Sequence, residues 1–279
     1  MTKAKKAVTL IDTLFLALLI LSASVPEALS SPLYVLSFLI PFAIGFKYSK
    51  SLRTEREEAR GLAEELDSFF KLDKRKTPDI LPLIAPSVAL IFSLAALTSL
   101  FLGILGFTSS SYADAGFFEM VIIHAVTPAI LEEMLFRYIP MKLILPYSRR
   151  SCVIISSFYF ALIHADFFQM PYAFAAGVVF MVLDVAFDSV LPSMILHFVN
   201  NFLSVVWMKY CLDWESAVMF IVILAICSLL SCLFIVLRKK TYRTYISHAF
   251  CKGESFVPDS TPVILILMSF YIAIVKLFT

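Results

Sequence analysis

Long runs of apolar residues, broken by short polar segments, organise this chain from end to end. The runs predict helices over 7–24, 33–48, 80–105, 117–145, 152–167, 172–187, 190–208, 217–237 and 262–278. Crossing a bilayer core takes about 20 mainly apolar residues in an α-helix, and shorter runs tilt or insert partway. In lipid every backbone polar group needs an internal partner, which leaves helices or a closed barrel. The chain holds only 7 Gly, which argues against a Gly-rich β architecture. The expected fold class is therefore all-α, a polytopic transmembrane helix bundle with about eight or nine spans.

Composition sharpens this expectation. The chain is 60% hydrophobic and only 16% charged, against about 25% charged in a soluble domain, so most of its surface must face membrane lipids. The formal net charge of +2 decides little, and no nucleic-acid partner is expected. The placement of charge decides more. Lys3, Lys5 and Lys6 precede the first run. Eight basic residues, Lys50 to Lys76, lie between the second and third. Arg149 and Arg150 follow the fourth, and Arg238, Lys239, Lys240, Arg243 and Lys252 follow the eighth. With nine spans and a cytoplasmic N-terminus, all four groups fall on the cytoplasmic side, as the positive-inside rule requires. The chain reads as a multi-pass integral membrane protein, of the cell membrane if the host is prokaryotic. Its first segment also resembles a signal peptide, with Ser22-Ala23-Ser24 as a small-residue site; cleavage there is the lesser reading.

These boundaries divide the chain into N-terminal transmembrane helices (1–48), a charged amphipathic cytoplasmic segment (49–79), a core (80–237), and a C-terminal loop with a last transmembrane helix (238–279). In the charged segment Leu62, Leu66, Phe69 and Phe70 form a narrow apolar stripe on a helix. It would pack on the bundle or lie in the headgroup region. The five cysteines form no C-x-x-C, and most lie in apolar runs. They read as small buried hydrophobes.

Three apolar runs carry residues that a lipid-facing helix should not hold. The fourth has Glu132, Glu133 and Arg137, the fifth His164, and the seventh His197 and Asn201. Ionisable groups at membrane depth are costly and mark a functional site in the bundle interior. On a regular helix Glu133 and Arg137 share a face at i, i+4, whereas Glu132 points about 100° away from Glu133. Glu133 is expected to pair with Arg137, leaving Glu132 to face a cavity. Pro128, one turn upstream, is expected to kink this helix. His197 and Asn201 share a face. Counting about 1.5 Å per residue brings Glu132, His164 and Asn201 to a similar depth.

Glu132-Glu133-x-x-x-Arg137, Phe160-x-x-x-His164 and His197-x-x-x-Asn201, in this order and each in an apolar run, resemble the CAAX-protease and bacteriocin-processing superfamily. These are intramembrane proteases that include the Rce1-type CAAX prenyl endopeptidases. The resemblance covers roughly 117–207. It implies an intramembrane endopeptidase in which Glu132 acts as general base on a water and His164 helps hold that water. His197 and Asn201 would donate to the oxyanion, and Glu133 and Arg137 would orient the site. The substrate would be a polypeptide, lipid-modified at its C-terminus in the CAAX case. Catalysis without a cofactor is the leading expectation. The alternative is a divalent metal such as zinc on Glu132, His164 and His197, the ligand set of some catalytic zinc sites, although the chain has no H-E-x-x-H. Two other functions remain: a non-catalytic scaffold or regulator of the same family, and a proton-coupled transporter, which the lack of internal repeats disfavours.

Plainer readings cover the other polar residues. His124 and Asn200 are expected to serve packing. Asp184 and Asp188 would mark the cytoplasmic boundary, Asp166 the outer interface, and His248 a solvated loop.

Overall fold

In the computed structural model, residues 2–23, 25, 27–52, 71, 77–107, 116–251, 253, 256, 266, 269, 270, 272 and 274 are described. Among them there are helices and no strands. They are α1 (Thr2–Ala23), α2 (Glu27–Ser51), α3 (Leu81–Ile104), α4 (117–143), α5 (Arg149–Leu162), α6 (Met170–Phe187), α7 (Leu191–Tyr210), α8 (Trp214–Leu237) and α9 (Lys239–Ala249). The chain is thus an all-α bundle, as its apolar runs predict. Among the described residues, five helical segments are long and apolar enough to cross a membrane: Pro32–Ser51, Thr77–Ile104, Met170–Phe187, Leu191–Tyr210 and Trp214–Leu237. The stripe from Leu62 to Phe70 and most of the run at 262–278 lie outside the described residues.

Helix α4 is the centre. It packs against α1, α2, α5 and α7, while α6 lies behind α5 and α7, and α3 and α8 form an outer pair. Helix α8 buries none of its residues, because lipid is a fit neighbour for an apolar helix on every side. This revises the reading of the cysteines. Cys152 is buried, but Cys227 and Cys232 are on exposed faces of α8 and Cys251 is exposed past α9.

Helix α4 is not regular. Two π-helical turns, Ile122–Val126 and Met134–Tyr138, bracket the α-helical stretch Thr127–Glu133. Each π turn is followed by a proline, Pro128 and Pro140. Proline lacks the N–H for the i→i−4 bond, and its ring crowds the carbonyl four residues back. Those carbonyls belong to His124 and Phe136, each inside a π turn. The local defect expected at Pro128 therefore takes the form of a widened turn, and it occurs twice.

Helix α5 is shorter than the run at 152–167 predicts. It ends at Leu162, and at 1.5 Å per residue it is about 21 Å long, less than the bilayer core. Asp166 supplies the reason. Its carboxylate accepts from the Phe168 N–H at 2.7 Å and the Gln169 amide at 3.3 Å, and its carbonyl accepts from the Gln169 and Met170 N–H groups. This Asx-type turn competes with helix continuation, and Ala165 takes a positive φ of 43° within it. His164 thus sits in a turn beyond α5 and not inside a helix.

Asp184 is in the last turn of α6. It is fully buried, and its carboxylate accepts from the Ser193 N–H at 3.0 Å. It thereby satisfies one of the free donors at the start of α7. Asp188, exposed with φ 52°, closes α6.

At the end of the molecule where α8 meets α9, Asp79 is buried and binds Arg238 and the Tyr245 hydroxyl (2.7 Å), while its carbonyl accepts from Tyr242 at 3.0 Å. Burial and the adjacent Asp79 charge push the Tyr242 phenol up to about 12. This cluster latches α9 to the start of α3, where the sequence suggested only a loop.

Helices α5 and α6 meet at Gly177, where an added Cβ would lie 2.9 Å from the Ser157 Cα. Gly177→Ala should therefore lower stability by about 1–3 kcal/mol through overpacking, read as a drop in unfolding midpoint in detergent. An unchanged midpoint would show that the two helices can separate freely.

Candidate active site

Four charged or titratable side chains converge where α4 faces α7. Glu133 and Arg137 are both completely buried, with Glu133 Oε2 3.2 Å from Arg137 Nε. The other Glu133 oxygen, Oε1, lies 2.7 Å from His197 Nδ1. Across the same imidazole, His197 Nε2 is 3.8 Å from Glu132 Oε2. His197 therefore stands between the two acids, one on each ring nitrogen. Divergence along α4 had suggested separate surroundings for these two carboxylates. They do diverge, and they reach opposite edges of a single ring.

The guanidinium of Arg137 lies 4.3 Å over the Phe160 ring and 5.7 Å from Phe180, an arrangement that stabilises a desolvated cation. Its Nη1 donates to the Phe136 carbonyl at 3.2 Å. That carbonyl is the one released by Pro140, and it also accepts from the buried Ser156 hydroxyl. Ser193, at the start of α7, brings its hydroxyl within reach of both Glu133 and Asp184.

Phe160 also joins the two histidines. Its ring meets His164 edge-on at 5.1 Å and His197 at 5.6 Å. His164 Nδ1 is 2.8 Å from the Phe160 carbonyl. A carbonyl oxygen only accepts, so Nδ1 carries the proton and Nε2 is the acceptor of the neutral ring.

The structure thus brings Glu132, Glu133, Arg137 and His197 into direct interaction and sets His164 beside them across Phe160. Asn201 is one turn along α7 from His197. Its Oδ1 accepts from the Asn200 amide at 3.2 Å. Asn200 is buried and donates to its neighbour, beyond the packing role expected of it. Sequence reasoning missed two tyrosines, Tyr34 of α2 and Tyr172 of α6, whose phenols are close enough to Glu132 to feel its charge. Nothing in their local sequence marks them, since tyrosine is an ordinary residue near the ends of bilayer-spanning segments. His124 lies half-buried in the first π turn of α4.

Among the described residues, no group of three His, Cys, Asp or Glu side chains is arranged to hold a metal ion. Glu132, His164 and His197 do not form such a group, and both nitrogens of His197 face carboxylates.

A helical bundle with membrane-capable helices and a buried cluster of two acids, an arginine and an imidazole defines the class: an integral membrane protein with ionisable groups in its core. Residues 114–203 match the family described as type II CAAX prenyl endopeptidase Rce1-like, the stretch that carries the motifs named above. The matched interval contains Glu132, Glu133, Arg137, His164, His197 and Asn201. At the level of family, it supports a CAAX-protease-type membrane endopeptidase acting on a polypeptide. No curated protein and no solved structure matches the chain.

Removing one partner of a fully buried ion pair strands the other charge, at a cost of about 3–5 kcal/mol. Glu133→Gln should therefore depress the thermal midpoint sharply and reduce the folded yield. Wild-type melting would mean that Arg137 does not depend on Glu133.

Proposed function

We propose that this chain is an intramembrane endopeptidase of the CAAX-protease type that hydrolyses a peptide bond with a water activated by Glu132 and His164. The observation that carries this reading is the Glu132–His197–Glu133–Arg137 line. Glu133 and Arg137 neutralise each other. A single proton then passes between Glu132 and His197 Nε2 without changing the net charge of the buried site. Such a transfer avoids the cost of creating new charge in a low-dielectric interior.

Glu132 suits the base. It is buried, and its Oε2 has no hydrogen-bond partner, so a water has an acceptor waiting. His164, with Nδ1 committed to the Phe160 carbonyl, offers Nε2 as a second acceptor that holds the water for attack. The water gives its proton to Glu132 as its oxygen adds to the scissile carbonyl carbon. The resulting oxyanion is stabilised by the Asn201 amide, steadied by Asn200, and by His197 when Nε2 carries the proton. Return of the proton to the amide nitrogen releases the two peptide products. No covalent intermediate with the protein is required. Glu133 and Arg137 hold the His197 ring in place.

The chemistry at the reacting bond does not distinguish a prenylated peptide from a plain one, and a C-terminal lipid would partition into the bilayer beside the site. A cytoplasmic N-terminus follows from the Lys and Arg distribution.

A general base contributes about 10²–10⁴-fold to rate. Glu132→Gln and His164→Ala are each expected to lose at least about 10²-fold in kcat on a peptide cleaved by the wild-type protein in proteoliposomes. Candidate peptides come from membrane-peptide profiles of cells carrying wild-type protein or Glu132→Ala. Asn201→Ala should lower kcat with little change in KM. Near-normal cleavage by both the Glu132 and His164 variants would end the proposal. Exhaustive chelation followed by dialysis should leave the rate within about twofold of the starting value, since general acid–base catalysis by side chains needs no ion; loss restored by zinc alone would favour the metal alternative.

A further inference from the structure

On the side of α4 away from His197, a small cavity of about 20 Å³ lies between α1, α4 and α5. Most of its wall is apolar, but Asp12, Ser156 and Tyr159 face it. Asp12 and Tyr159 lie close enough to interact directly, but Asp12 Oδ2 and the Tyr159 hydroxyl are buried without a well-formed hydrogen bond. Tyr159 as a whole is only 4% exposed and Ser156 fully buried. A buried hydroxyl or carboxylate oxygen without a well-formed hydrogen bond is costly, and a water in the void beside both completes the pairing that their direct approach leaves poor. The space suits one water, which needs about 10–15 Å³ and two to four polar partners.

We propose that this cavity is a binding site for a single ordered water, and that through it Asp12 of α1 acts as a positioning residue for the Glu132–His197–Glu133–Arg137 line. The donors and acceptors fit. Tyr159 donates its hydroxyl hydrogen to the water. The water donates one hydrogen to Asp12 Oδ2 and the other to Ser156 Oγ. Ser156 has already given its own hydrogen to the Phe136 carbonyl, so Oγ has lone pairs to offer. Arg137 Nη1 approaches that oxygen at 3.5 Å. A continuous polar line then runs from α1 to Ser156, Arg137, Glu133, His197 and Glu132. It crosses α4 at the carbonyl that Pro140 releases. The water site stands on geometry alone; the link to turnover rests on the proteolytic reading.

Two measurements test the two parts separately. A high-resolution map of the wild-type protein in lipid nanodiscs should show density for one water within hydrogen-bond distance of Asp12, Tyr159 and Ser156. An empty cavity, in a map that resolves other buried waters, overturns the site whatever the activity. For the coupling, Tyr159→Phe removes one hydroxyl, and Asp12→Asn keeps the side chain's shape. Each should lower kcat by about three- to tenfold with KM unchanged within twofold, and the double variant should be no worse than the poorer single one. Unchanged kcat in a folded Tyr159→Phe protein overturns the positioning role. If Glu132→Gln retains activity, the proteolytic mechanism fails instead, and the map still decides the water.

Discussion

A fully buried arginine on the central helix of a membrane bundle is the constraint from which the site follows. Desolvating a guanidinium costs several kcal/mol even after relaxation, so Arg137 can occupy α4 only with its charge matched. Glu133 supplies the counter-charge at 3.2 Å, Phe160 offers a ring face, and the Phe136 carbonyl takes a further donor. Meeting these demands at once sets the rotation of α4 about its axis. With that rotation set, Glu132 has one direction left, toward the far nitrogen of His197.

The irregularities of the fold serve the same end. A regular helix has no spare carbonyls to offer an arginine. By placing Pro140 four residues after Phe136, the chain releases a carbonyl at the depth of Arg137 and widens the helix there into a π turn. The same device recurs one stretch earlier with Pro128 and His124. Helix α5 breaks off short because Asp166 folds the following turn. Polar non-helical backbone at membrane depth is tolerated where protein covers it or a cavity is lined by it, and this break sets His164 beside Phe160. Asp184 does similar work for α7. A buried carboxylate from α6 caps the helix that carries His197 and Asn201, fixing their register against α4.

The periphery shows the contrast. Helix α8 has no buried residue and no feature tied to the site, and its apolar side chains are equally content against lipid or protein. Helix α9, by comparison, is held to the bundle by a few directed contacts at Asp79. Affinity for lipid builds the outer shell, and directed polar contacts build the interior.

Much of this was legible in the chain itself. Long apolar runs, almost free of charge, demand helices because lipid leaves the backbone few other partners. The intrusions at Glu132, Glu133, Arg137, His164, His197 and Asn201 stand out for the same reason: a polar group in such a run is expensive and must face inward. The i, i+4 spacing of Glu133 and Arg137 follows from helix geometry alone. What remained hidden depends on neighbours distant in sequence. That His197 fills the gap between two carboxylates, that Asn200 steadies Asn201, that Tyr34 and Tyr172 come within electrostatic range of Glu132, and that Asp184 is buried under α7 are facts of helix packing. So is the ending of α5: an Asx turn and a helix compete locally, and only the cover given by surrounding helices makes the turn affordable in that position. Periodicity reports which face of a helix is apolar, but which polar atoms meet across the interface is decided only when the helices dock.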